Sequence, residues 1–187
     1  MIDMTFVLPV DMARDVYALH QRLEDAYGPR SAGKYLWAAV PVRCGRDVLL
    51  LVRAAETPAN LAPASIYAVP EPPTGAELDF SVQAMPTVKD SRTGRRKPFT
   101  RENNAGREAW FRRRAARSGF EAVALQQATS RRWIAKPTPG RQGEPWWIDA
   151  TTFVGRLRVT DAPAFRATLL GGFGHGRAWG CGLLVVA

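Results

Sequence analysis

His20 follows Tyr17 by three residues, a spacing that puts an imidazole and a phenol close together on a helix. Histidine titrates nearest to neutrality, so such a pair is an economical means of moving protons. At 100° per residue, Met12, Val16, Leu19, Leu23 and Ala26 form the apolar stripe of a helix. His20 lies on the margin of that stripe and Tyr17 about 60° beyond it, so both can reach one cleft. Without a metal, this pair could cleave RNA: one group takes the proton of a 2′-hydroxyl and one protonates the leaving 5′-oxygen. The same spacing also suits a plain structural role, with His20 bordering a core and Tyr17 packed beneath it.

The second chemically informative stretch is Gly171-Gly172-Phe173-Gly174-His175-Gly176-Arg177-Ala178-Trp179-Gly180-Cys181-Gly182, which leads into Leu183-Leu184-Val185-Val186. Six glycines in twelve residues imply a backbone that turns sharply and approaches something closely. Gly172, Gly174, Gly176, Gly180 and Gly182 are the candidate loop positions, with Arg177 as the basic group among them. A helix precedes this run instead of following it, and no GxxxxGK[ST] segment exists, so it does not fit the usual nucleotide loops.

Charge is distributed unevenly. Residues 1–75 hold seven Lys or Arg against eight Asp or Glu, and residues 76–187 hold nineteen against nine. Between residues 89 and 117 stand eleven basic and three acidic side chains. Such a density needs solvent or a polyanion, and nucleic acid is the natural partner. The candidate phosphate ligands are Lys89, Arg92, Arg95, Arg96, Lys97, Arg101, Arg107, Arg113, Arg114 and Arg117, with Arg131 and Arg132 as a second patch. Residues 89–101 are poor in apolar content and predict a loop disordered until it meets a polyanion. Within the following helix Trp110 and Phe111 can pack on a sheet while guanidinium groups project outward. A membrane surface is the weaker alternative, because the core would use that small apolar face.

The elements that position these residues follow one grammar twice. Residues 5–10 read as a strand, Asp11 as the cap of a helix to about Tyr27, and residues 35–42 and 47–54 as a hairpin around Cys44-Gly45-Arg46. A short helix over residues 58–64 and a strand over 65–69 complete the first unit, and Pro70 to Gly75 is the linker. The second unit has a strand through Leu78, Phe80 and Val82 that Pro86 disturbs, then a helix capped by Asn103 or Asn104. Extended segments over 120–133 and 146–159, a helix capped by Thr160 or Asp161, and a final strand within 180–186 follow. Both halves are βαββαβ, predicting an α+β fold of tandem ferredoxin-like, RRM-like domains over residues 1–75 and 76–187.

Cys44 and Cys181 supply neither a disulfide framework nor a CxxC metal site, and neither metal nor cofactor is expected. No run of eighteen apolar residues and no signal-peptide pattern occur, which predicts a soluble cytoplasmic protein without a membrane partner.

Asp15-Val16-Tyr17-Ala18-Leu19-His20-Gln21-Arg22-Leu23 and the segment from Gly172 through Leu184 together resemble the CRISPR-associated endoribonuclease family CasE (Cse3) of the type I-E Cascade system. Val82-Gln83-Ala84-Met85-Pro86 and the basic stretch after it fit more loosely. The resemblance implies metal-independent cleavage of CRISPR precursor RNA at repeat stem-loops, leaving a 2′,3′-cyclic phosphate and a 5′-hydroxyl. It also implies retention of the product beside other Cascade subunits. His20 would be the catalytic histidine and Tyr17 its companion. Developing charge on the phosphate needs donors, for which Arg177, a nearby lysine or the amides of Gly174 and Gly176 are the candidates. His175 receives no catalytic role. The alternatives are a non-catalytic hairpin RNA-binding subunit of a ribonucleoprotein complex and a ribosomal or structural basic protein, which would need only the charge.

Overall fold

The structure is a computed structural model that describes residues 1–13, 15–28, 35–41, 46–58, 60–100, 102–134 and 146–187. Its first half runs β1 (Ile2–Pro9), α1 (Val10–Ala13), α2 (Val16–Tyr27), β2 (Tyr35–Pro41), β3 (Asp47–Ala54) and β4 (Ser65–Ala68). These strands form one antiparallel sheet in the order β2-β3-β1-β4. The helix that carries His20 is capped by Asp15, not Asp11: the Asp15 carboxylate accepts from the Tyr17 amide at 2.8 Å, and α1 is a separate turn. Gly28, at φ 81°, ends α2.

The short helix expected over residues 58–64 does not form among the described residues. Pro63 disfavours helical backbone at Ala62, and the Ala64 amide instead donates to the Thr5 carbonyl of β1 at 2.7 Å.

The second half runs β5 (Glu77–Ala84), β6 (Thr87–Lys89), β7 (Arg96–Pro98), α3 (Asn104–Ala116), β8 (Phe120–Ile134), β9 (Trp146–Val159), α4 (Ala162–Gly171) and β10 (Leu184–Val186). Strands β10-β5-β9-β8 form the second antiparallel sheet. In both sheets the first and third strands of the unit are central, flanked by the fourth and the second, which is the ferredoxin-like order twice over. Asn103 and Asp161 cap α3 and α4 through their side-chain oxygens.

The described part of this segment, residues 89–100, does not conform to the expected disorder. β6 and β7 pair antiparallel, and Asp90 organises the turn by accepting from the Arg92 and Thr93 amides and from Lys97 Nζ at 2.8 Å. Those bonds, led by Lys97, hold the Asp90 carboxyl well below the usual carboxylate range. An acidic residue inside a basic run is therefore the turn former.

Two cores result. Met4, Phe6, Leu19, Leu23, Trp37 and Val52 fill the first, and Ile148 of β9 reaches into it from the second sheet. The second is largely aromatic, with Phe111 at its centre: ring centroids lie 4.6 Å from Phe153, 5.1 Å from Phe173 and 5.5 Å from Phe80. Each buried phenylalanine contributes about 1.5–3 kcal/mol relative to exposure. Leu36 and Ala38 of the first sheet pack with Leu183 just before β10, so the sheets also meet face to face.

Candidate active site and nucleic-acid interface

Val16, Leu19 and Leu23 turn one side of α2 into the first core, leaving His20 at its border with 9% exposure. Tyr17 packs partly buried against the same core, its ring centroid 6.5 Å from that of His20. Glu24, one turn further on, sets Oε1 3.4 Å from His20 Nε2, and Gln21 Nε2 donates to its other oxygen at 3.2 Å. A carboxylate beside an imidazole nitrogen orients the ring and selects its tautomer.

The glycine-rich segment comes to this helix from the opposite end of the sequence. Between Gly176 and Gly180 the chain makes a 3-10 turn, Arg177–Trp179, closed by the Trp179 amide donating to the Gly176 carbonyl at 2.8 Å. Both glycines have positive φ, 83° and 68°. A Cβ at Gly176 would stand 2.2 Å from Met85 Sδ, and one at Gly180 would stand 2.8 Å from the Trp37 ring. The close approach implied by the glycines is thus to the protein's own core. It delivers Trp179 edge-on to His20, with centroids 5.6 Å apart. Gly172 and Gly182 lie beside the methylene stem of Arg177, whose side chain is at the surface.

Gly174 and His175 face a different neighbourhood, a cleft of about 240 Å³ also lined by Thr87, Arg96, Trp110, Arg113, Arg114 and Arg117. It gathers the β6–β7 hairpin, α3 and the glycine-rich loop into one cationic surface. Burial first, then Arg96, Arg114 and Arg177, hold the His175 imidazole below its ordinary value. Lys89, Arg92, Arg95 and Lys97 are exposed on the hairpin, Lys97 as the partner of Asp90.

Arg107 departs from expectation. It is 3% exposed, donating from Nη1 to the Thr100 carbonyl at 2.6 Å and from Nη2 to Asn104 Oδ1, so it ties down the entry to α3 instead of projecting outward. Its place one turn before Phe111, which is wholly buried, puts it on the inward face. Arg101 and the side chains of Arg131 and Arg132 lie outside the described residues, as does Cys44. Cys181 is buried. Among the described residues no group of three His, Cys, Asp or Glu could hold a metal ion.

Sequence reasoning missed Trp179, Glu24 and Arg53. Arg53 on β3 is wholly buried and grips both oxygens of Asp3 on β1, from Nε at 2.6 Å and Nη2 at 2.7 Å. Its Nη1 donates to the carbonyls of Leu169 in α4 and Leu184 in β10, at 2.9 and 3.1 Å. These bonds fasten the first sheet to both elements that flank the glycine-rich loop. A signal existed: Arg53 and Asp3 alternate out of phase with Met4 and Val52, on the sheet face that the second half covers.

A family model described as CRISPR associated protein matches residues 9–187. The chain is 29% identical over 190 residues to the CRISPR-associated endoribonuclease Cse3 of Thermus thermophilus, covering 91% of this chain and 89% of that protein. Among solved structures it is similar to the CRISPR endoribonuclease Cse3 bound to 19 nt RNA, with TM-score 0.84, 25% identity and full coverage of both chains. The crystal structure of Cas6e from Escherichia coli K-12 shares the fold, with TM-score 0.76 and 23% identity over 100% of this chain and 99% of that one.

Proposed function

The chain belongs to the CRISPR-associated protein family, and we propose that it is a metal-independent endoribonuclease that cuts CRISPR precursor RNA at repeat stem-loops and stays bound to the product. The observation that carries the reading is the junction of α2 and the 3-10 turn: His20, Tyr17 and Trp179 meet there, with the exposed Arg177 in the same turn. A basic cleft lies on the other flank of the same loop.

The reaction is a transesterification. The 2′-oxygen attacks the adjacent phosphorus, the 5′-oxygen leaves, and the products are a 2′,3′-cyclic phosphate and a 5′-hydroxyl. His20 serves one of the two proton transfers and Tyr17 orients or shares that proton, the effect of such a group being about 10²–10⁴-fold in rate. Arg177 offers a fixed positive charge to the oxygens of the crowded phosphorus. The guanidinium groups of Arg96, Arg113, Arg114 and Arg117 and the exposed hairpin cations Lys89, Arg92 and Arg95 run along stem phosphates. A-form RNA presents those phosphates beside a groove too narrow for ordinary side chains, so positioning is mostly by backbone.

Product retention suits a subunit that acts beside other Cascade proteins, and solved surveillance complexes contain chains of this fold. Among the described residues no helix is long and apolar enough to cross a membrane. The site of action is the cytoplasm, and the chain divides near residue 75, between β4 and β5.

The test is incubation of the purified protein with a repeat hairpin in EDTA, followed by analysis of the new 3′ end. A cyclic phosphate is expected, and His20→Ala should bind the hairpin without cutting it. Undiminished cutting by His20→Ala would remove the assignment of the active centre, and binding without cutting by the parent would leave a non-catalytic hairpin-binding subunit.

A further inference from the structure

The cleft between the β6–β7 hairpin, α3 and the glycine-rich loop has an aromatic floor. The Trp110 ring stacks on Phe153 and meets Phe173 edge-on, and a Cβ at Gly174 would touch it at 3.2 Å. Over that floor stand Arg96 from β7 and Arg113, Arg114 and Arg117 from α3, and among the described residues no acidic side chain lines the space. Guanidinium groups arranged around an opening repel one another until an anion enters, and none can relieve the strain by losing a proton.

Among the described residues lining this cleft, His175 is the one whose charge can change near neutral pH. In the free protein, partial desolvation of this largely exposed side chain and then the surrounding guanidiniums of Arg96, Arg114 and Arg177 hold its imidazole below the ordinary value. An anion in the cleft reverses that balance. A phosphodiester carries one negative charge and only accepts hydrogen bonds, so it favours an imidazolium that donates from both nitrogens.

We propose that His175 makes this cleft a proton-linked phosphate site, in which entry of an RNA backbone phosphate draws a proton from solvent onto the imidazole. The proposal rests on the RNA-binding reading above and adds to it a residue that the cleavage chemistry does not use. The proton balance is simple: the phosphodiester stays a monoanion, and the complex holds up to one more proton than its separated components. Affinity accordingly rises as pH falls through the imidazole range. Arg96, Arg113, Arg114, Arg117 and Arg177 are the charged groups around His175, and all keep their charge across that range.

His20 and His175 are the chain's two histidines, so His20→Ala both stops cleavage and leaves His175 as the sole imidazole. The experiment titrates full-length His20→Ala with a repeat hairpin bearing hydroxyl ends, at constant ionic strength, from about pH 5.5 to 8. The dissociation constant should rise with pH, by up to about tenfold per unit at the steepest point, and calorimetry in buffers of different ionisation enthalpy should read proton uptake. His20→Ala/His175→Asn should bind more weakly at low pH and lose that slope. His20→Ala/His175→Arg should bind tightly with no slope, which a merely structural role would not produce. Equal pH slopes for His20→Ala and His20→Ala/His175→Asn would overturn the proposal while leaving RNA binding intact. Absence of hairpin binding at every pH would overturn the RNA-binding reading and this proposal with it.

Discussion

Trp179 and His20 meet in an edge-to-face arrangement, with centroids 5.6 Å apart and planes inclined at 64°. An imidazole on α2 is thereby walled by a side chain from the glycine-rich turn near the other end of the chain. The contact packs an indole against the imidazole proposed to handle protons, and it depends on two glycines that let the turn sit down on Trp37 and Met85.

Replacing Trp179 with alanine should slow cleavage more than it weakens binding. An aromatic pair of this geometry contributes about 0.5–1.5 kcal/mol, so the single-turnover rate should fall roughly 2- to 10-fold. Hairpin affinity measured with an uncleavable 2′-deoxy substrate should change little. A loss confined to affinity would contradict a positioning role for this ring.

Arg53→Met should destabilise the fold by about 3 kcal/mol, because it leaves the Asp3 carboxylate and two carbonyls without their guanidinium. The lower part of the range for buried pairs applies because the Asp3 side chain keeps 27% of its exposure. Urea denaturation reads this as a fall in midpoint with an unchanged slope.

Gly180→Ala and Gly171→Ala should differ in sign. Gly180 has φ 68° and a ring within 2.8 Å of a new Cβ, whereas Gly171 has negative φ at the end of α4 and open space around it. The first change should cost at least ~1–2 kcal/mol from backbone strain alone, and the second should stabilise by up to ~1 kcal/mol. Thermal melting of the two variants separates them.

Arg92→Gln/Arg95→Gln removes two exposed hairpin cations without touching the Asp90 turn. Hairpin affinity should fall, and the slope of log K against log salt should become shallower by roughly one for each phosphate that is no longer neutralised. Identical slopes would exclude direct phosphate binding by these two residues.

The free protein should also gain stability as pH rises through the histidine range, in part through His175. Its folded value lies below the unfolded one, so the unfolded chain binds more protons in the window below the ordinary imidazole value and unfolding is favoured there. The urea midpoint difference between pH 5 and about pH 7.5 should shrink in His175→Asn. The change will be small, since the side chain is exposed.

Local chemistry made much of this protein readable from its residues alone. Apolar periodicity placed α2 and β5, and side-chain caps marked α3 and α4, because these signals act within a few residues. The pairing of Tyr17 with His20 and the sharp bends at the glycines belong to the same class. Asp90 shows the limit of composition: the overall charge of its segment suggested disorder, while one carboxylate with three nearby donors folded a hairpin. Only the tertiary structure decided what the glycines approach, that Trp179 meets His20, that Arg107 faces inward, and that Arg53 joins the two halves. Those outcomes depend on which surfaces cover one another, and a buried guanidinium and an exposed one are the same letter until a partner strand or helix arrives to remove its water.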